Sequence, residues 1–371
     1  AFAAERADAG LAWLEVAARA LRRRGSYDRA AALLAEHATI REERGYGPRA
    51  PASLTARAIA ARIAAARGQY DASEAATRAL IADARAEGHD GALAEGLRHL
   101  GFLCWQRARH DDARAAYREA LALDREAGNE GHAARCLLGL GVVRFRGDGD
   151  LAGADSAFSE ALSMFAHLGE GLGVVDALGW RAILERRRGD YAAARTLQRQ
   201  ALEAARGVGH RFGEMMALNS IGDASRLLGD HEEAERCYRE SLGIARSTGS
   251  GEEVWPQLNL GLTLLDLGRT MEAEDLLDRS RARLERMGRR AFVGCVHAAL
   301  VACAAAHEHW DDFDRHLGAA HRLLGETGMV DADVAWPLER AAAAAEAAGQ
   351  ATRAASAAEL AAAQRSALAV R

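Results

Sequence analysis

The 371-residue chain balances 48 basic against 53 acidic residues, for a formal charge of −5, and holds 49% hydrophobic but only 5% aromatic residues. Every basic residue is arginine, so chemistry that needs a lysine amine is excluded: the phosphate-loop lysine, the kinase strand lysine, pyridoxal-phosphate Schiff bases and lysine aldol chemistry. The acidic balance gives no general attraction to nucleic acid or anionic membrane, while 88 alanines against four prolines predict an almost entirely helical protein.

In chain order, the predicted elements repeat. An N-terminal unit over 1–50 closes with a longer loop, Tyr46-Gly47-Pro48-Arg49-Ala50-Pro51. Central repeats run over 51–330, and an alanine-rich helix pair over 331–371 reads as a cap. A small residue heads the buried face of each second helix at Ala30, Ser73, Ala113, Ala154, Ala194, Ala234 and Ala273, then at Phe313 and Ala354. The steps lie between 39 and 43. A glycine ending each unit keeps the same register at Gly45, Gly88, Gly128, Gly169, Gly209, Gly249, Gly288 and Gly328.

Within a unit the first helix carries a stripe such as Leu97, Leu100, Gly101 and Cys104, where glycine admits a neighbouring helix at close range. Turns such as Gly189-Asp190 and Gly229-Asp230 supply a left-handed cap. The second helix answers with Ala113, Tyr117, Ala120 and Leu121. The Ala154 unit carries one extra residue near Gly147-Asp148-Gly149-Asp150. Arg181 and Glu185 stand where apolar residues are normal, four apart, a spacing at which they pair or mark a turned helix. Pro256 and Pro337 fall early in first helices, where a missing N–H costs little.

Leu-Gly in the first helix, Gly-Asp-Tyr in the turn and Ala…Tyr…Ala-Leu in the second resemble the tetratricopeptide repeat. The forty-residue period resembles its long-helix branch, seen in kinesin light chains, LGN-type adaptors and the C-terminal halves of MalT-like regulators. The resemblance implies an all-α solenoid: about nine antiparallel helix pairs over 1–371, wound as one right-handed superhelix with first helices lining the concave face. Each pair must stack on its neighbours, because alone it cannot bury its apolar side.

No catalytic pattern emerges. His307-Glu308-His309 points its imidazoles to different sides of a helix and lacks a completing ligand set, and Gly147–Asp150 lacks the alternating carboxylates of a calcium loop. Nothing argues for an enzyme, a metal or a cofactor. Five cysteines, an odd number without a CxxC pair, read as buried residues of a reducing compartment, so a cytoplasmic location is expected. The run from Ala291 to Ala306 is too short to span a bilayer.

The expected site is therefore the concave face: Arg98, Phe102, Trp105, Arg135, Phe145, Arg186, Asn219, Arg226 and Trp255. Arginine forks grip carboxylates and rings supply desolvated area, which suits a protein or acidic peptide segment; Asn219 would clamp its backbone. Competing bland roles exist: Arg22–24 and Arg186–188 end first helices, where cations offset the helix dipole, and Leu258, Leu262 and Leu265 turn into core with a one-residue slip of register. The function expected is a non-catalytic binding scaffold, monomeric or weakly dimeric. The alternative is a ligand- or peptide-sensing domain of a larger ATPase- or kinase-linked regulator, which a start at Ala1 instead of Met would suit.

Overall fold

The computed structural model describes residues 12, 14–18, 27–248 and 252–369. Gly249 and Arg22–24 lie outside them. Helices follow one another along the described chain: α1 (Tyr27–Glu43), α2 (Pro51–Ala66), α3 (Tyr70–Ala86), α4 (Asp90–Gln106), α5 (His110–Glu126), α6 (Glu130–Val143), α7 (Leu151–His167) and α8 (Gly171–Arg188). Then come α9 (Tyr191–Gly207), α10 (Arg211–Leu227), α11 (His231–Thr248), α12 (Val254–Asp266), α13 (Thr270–Arg286), α14 (Arg290–Ala306), α15 (Trp310–Thr327), α16 (Ala332–Ala347) and α17 (Ala351–Ala369). They form consecutive antiparallel pairs, a tetratricopeptide-like solenoid, in two compact units, Ala1–Leu184 (unit 1) and Glu185–Arg371 (unit 2). No helix among the described residues is long and apolar enough to cross a membrane.

The two sequence markers become two physical devices. All nine small-residue positions, Ala30 through Ala354, are buried. The unit-ending glycines that are described, from Gly45 (φ 69°) to Gly328 (φ 64°), take the left-handed conformation that stops a helix, and backbone N–H groups beyond them close on carbonyls of the last turn. Ala108 and Glu308 occupy equivalent turn positions at φ 55° without being glycine, which is strained for an L-residue.

Helix pairs interlock by rings in glycine sockets. A Cβ on Gly139 would lie 2.5 Å from the Tyr117 ring, one on Gly141 2.5 Å from Phe158, and one on Gly222 2.6 Å from Tyr238. Phe158 and Tyr238 are fully buried, so each socket removes a large apolar surface from water.

The extra residue near Gly147 is absorbed locally. Arg144–Asp148 form a π-helical turn at the end of α6, Gly149 reverses the chain at φ 66°, and Asp150 caps α7 by accepting from the Gly153 N–H at 2.8 Å. Arg181 and Glu185 do not pair with each other. Arg181 turns back to Asp155 at 3.3 Å on α7, and Glu185 accepts from Arg188 at 2.6 Å. Pro337 lies inside α16 and removes an intrahelical hydrogen bond, so its cost is higher than at a helix start.

The arginines are distributed as rungs. Along successive second helices, an arginine near the end of one reaches a glutamate 34 or 35 residues on: Arg85 to Glu119, Arg125 to Glu160 at 3.2 Å, and Arg206 to Glu240 at 2.5 Å. Such exposed pairs contribute ~0–1 kcal/mol each, so they tune stacking without driving it.

Candidate binding faces on the first helices

In unit 1, α2, α4 and α6 lie side by side, each touching the next, and their outward positions form one face. Arg98, on α4, is 10% exposed and is spent internally on Asp124 of α5, a carboxylate 2% exposed. Arg57 and Asp83 repeat that pair one unit earlier at 2.8 Å, with the same 26-residue spacing. Arg135 points away along the pair, donating to Glu170 at 2.5 Å and lying 5.7 Å over the Phe165 ring. Neither guanidinium is free for a ligand.

What remains on this face is aromatic. Phe102 is half-buried between His99, stacked at 6.1 Å, and Trp105 at 6.0 Å. Trp105 meets Trp180 edge-on at 6.1 Å, and Trp180 stacks on the buried Phe158 at 6.1 Å. Phe145, on the π-turn, packs against the same buried cluster of Val142, Ala154, Phe158 and Leu184 that Trp105 and Trp180 border, with the exposed Arg146 5.3 Å above its ring. Trp180 is absent from the sequence expectation. It stands fourteen residues before Ala194, as His99 stands fourteen before Ala113, so repeat register could have found it.

In unit 2 the corresponding positions are polar and enclosed. Arg226, at the end of α10, is 15% exposed and donates to Asp333 of α16 at 2.5 Å, with Asp266 3.9 Å away. Burial opposes the Arg226 charge, but Asp333 and Asp266 outweigh it and hold its pKa above the ordinary arginine value. Asp223 accepts from Tyr238 Oη at 2.7 Å and Asn259 Nδ2 at 3.0 Å, and Arg186 approaches it at 3.7 Å. Asn219 accepts from Asn259 at 3.4 Å. Burial pushes the carboxyls of Asp223, Asp266 and Asp331 above the usual carboxylate range.

α16 contributes to the enclosure. Its Arg340 donates to the Leu265 carbonyl at the end of α12 at 2.6 Å, and the helix packs along α14. Leu258, Leu262 and Leu265 are buried, in one cluster that takes in α14 as well as Val334, Leu338 and Ala341 of α16. They match Arg98, Phe102 and Trp105 in repeat register, so no slip of register has occurred: the face is outward by position and core by cover. Trp255 is half-buried and meets Phe292 edge-on at 4.9 Å.

His307 is held by Thr270 at 2.9 Å and Glu274 at 3.1 Å, and among the described residues no three His, Cys, Asp or Glu side chains converge as a metal set. Burial raises the Cys136, Cys295 and Cys303 thiols to about 12, which leaves them protonated and unreactive near neutral pH.

These helix pairs define a tetratricopeptide-type solenoid, and residues 92–166 and 174–247 match the family model described as tetratricopeptide repeat. No curated protein matches the sequence. Among solved structures, the chain is similar to the apo form of the quorum sensor NprR from B. thuringiensis, at 14% identity and TM-score 0.66, covering 97% of this chain and 99% of that one. A Rap protein complexed with competence and sporulation factor aligns at 15% identity and TM-score 0.63, covering 97% and 98%. A signal-transduction ATPase with a tetratricopeptide repeat sensor, from Pyrococcus horikoshii, aligns at 14% and TM-score 0.62, covering 91% of this chain and 52% of that one. At these identities the likeness is one of fold.

Proposed function

We propose that the protein is a non-catalytic peptide-binding module, and that the first-helix face of unit 1 is its recognition surface. The observation that carries this reading is the run of half-buried rings Phe102, Trp105, Trp180 and Phe145, edged by Arg146. Rings held in fixed positions offer desolvated area at little entropic cost, and an exposed guanidinium beside them favours a segment with an apolar residue followed by a carboxylate. The arginines expected from sequence on this face, Arg98 and Arg135, already hold carboxylates of the same chain, and Arg146, outside that expectation, takes the charged role. Similar folds named as a quorum sensor and as a complex with a competence and sporulation factor support a peptide as the ligand class.

Selection of displayed random peptides on the full chain tests this. Sequences combining an apolar residue with Asp or Glu should be enriched on the wild type and lost on Trp105→Ala. Weakening of about tenfold is expected for Arg146→Glu, the size of a single charge-assisted contact. Enrichment indifferent to both substitutions would remove unit 1 as the site. A second reading, a sensor within a longer regulator, is favoured by the likeness to the ATPase-linked repeat sensor, of which this chain spans about half.

A further inference from the structure

Repeat stacking explains contacts between neighbours some forty residues apart. First helices two units apart also meet at 75 residues, as Trp105 with Trp180 and Arg340 with the Leu265 carbonyl both show, but neither pattern explains Arg226 with Asp333, separated by 107 residues and three units. Here the first helix of the last pair leaves the row and lies on the face the earlier first helices present. Its contacts have the make-up of a bound ligand. The acidic start of the helix (Asp331 at its cap, Asp333 in its first turn) brings Asp333 to Arg226, and its apolar side (Val334, Leu338) shares one buried cluster with Leu258 and Leu262.

We propose that α16 is a resident ligand of unit 2's first-helix face, and that this face takes in trans a partner segment of the same chemistry: an amphipathic helix with two carboxylates in its first turn and an apolar stripe behind them. The proposal extends to unit 2 the reading that first-helix faces bind peptides.

Three observations make the resident replaceable. Arg226 Nε is buried without a hydrogen-bond partner, and Asp266, 8% exposed, is held only at ion-pair range, 3.5 Å from His231 Nδ1 and 3.9 Å from Arg226, so α16 leaves the polar end of the site short of a full hydrogen-bond set. Arg186 is half exposed and holds Asp223 only at 3.7 Å, which leaves a second guanidinium on the face for an incoming carboxylate. Pro337 interrupts the hydrogen bonding of α16 itself, so releasing that helix forfeits less than releasing an unbroken one.

The test uses the full chain and a fluorescein-labelled synthetic peptide with the sequence of residues 329–347. Wild type is compared with Asp333→Arg, which sets a cation against Arg226, and with the swap Arg226→Asp/Asp333→Arg, which restores the internal pair with reversed polarity. Hydrogen exchange over α16 is followed on the same samples. Asp333→Arg should speed exchange in the first turns of α16 and bind the peptide at least tenfold more tightly than wild type. The swap should recover protection and lose the gain, because Asp at 226 repels the acidic peptide. Binding to Asp333→Arg should persist when Trp105→Ala is added, which separates this site from the unit 1 face. Opening of α16 without peptide binding overturns the proposal, as does unchanged protection in Asp333→Arg. Loss of binding on adding Trp105→Ala would assign the peptide to unit 1 and overturn it as well.

Discussion

Eight residues before the buried small residue, unit 1 presents Trp105, a half-buried indole packed against other rings. At the same place unit 2 presents Arg226, tied to a carboxylate more than a hundred residues away, and Leu265, sealed beneath a helix. One repeat register therefore supports two surfaces: an aromatic face left open and an ionic, apolar face already filled. What separates them is not the first helices alone but whether a later helix has come to rest on them. Position within a repeat fixes where a side chain points, whereas exposure is decided by elements far along the chain.

The comparison is sharpened most strongly by removing the two internal arginines. Arg98→Ala strands Asp124, 2% exposed, and should cost about 3–5 kcal/mol of stability by urea denaturation; Arg226→Ala leaves Asp333 36% exposed and Asp266 beside His231, and should cost less. Only Arg226→Ala should also raise hydrogen exchange in α16; equal silence there from both variants would contradict the account of the enclosed face.

Next come the sockets. Gly141→Ala and Gly222→Ala push a methyl into the Phe158 and Tyr238 rings, and overpacking should exceed the helix-propensity gain, for a loss of about 1–3 kcal/mol. The unit 2 variant should additionally disturb the Tyr238–Asp223 hydrogen bond, visible as a changed pH dependence of tyrosine absorbance.

Acid gives a third contrast: burial lowers His37 and His132 in unit 1, and unit 2 adds a pair of histidines in direct contact. His297 touches His316 at 2.8 Å between ring nitrogens, and Arg281 and Asp278 on α13 and Arg322 on α15 also face the pair. Burial first, then the His316 charge, lowers the His297 pKa to about 4. A depressed histidine binds its proton more readily in the unfolded chain. Its contribution is therefore complete above pH ~6.5 and is lost as the pH falls towards 4. After discounting for solvent, the loss is on the order of 2 kcal/mol, and His297→Leu should flatten it. The raised carboxyls of Asp223, Asp266 and Asp331 run the other way: their contribution is present below the ordinary carboxylate range and lost as pH rises through their raised pKa values. The informative quantity is thus the difference between the two proteins' melting curves at each pH.

The smallest effect concerns the two strained turns, one in each unit. Ala108→Gly and Glu308→Gly should each gain about 1 kcal/mol by relieving a positive φ, read as a rise in melting temperature. Unequal gains would indicate that one turn is held by its surroundings.

The repeat was legible because both of its markers answer to local physics: a small buried residue where helices cross, and a glycine where the chain must turn left-handed. The aromatic residues Phe102, Trp105 and Phe145 were legible for the same reason. The state of the arginines was readable only in part. The recurrence of Arg57/Asp83 and Arg98/Asp124 at one spacing marks a structural pair, a signal available but easily masked by 48 arginines. The burial of Leu258, Leu262 and Leu265 has a local signature, since α12 is apolar on nearly every face, but what covers them has none. The cluster that encloses them includes residues of α16, and periodicity near residue 260 holds no information about residue 338.

The π-turn at Arg144–Asp148 has a bearing on how such a chain changes over time. An added residue is taken up within five positions, and α7 resumes with Ala154 in its buried place and Asp150 at its cap. Each pair is thus reset by its own turn and cap, so an insertion is corrected where it occurs and is not passed on to the helices that follow. Lengthening or shortening a loop becomes a local edit, and a new side chain can be offered to a partner without re-tuning the rest of the array.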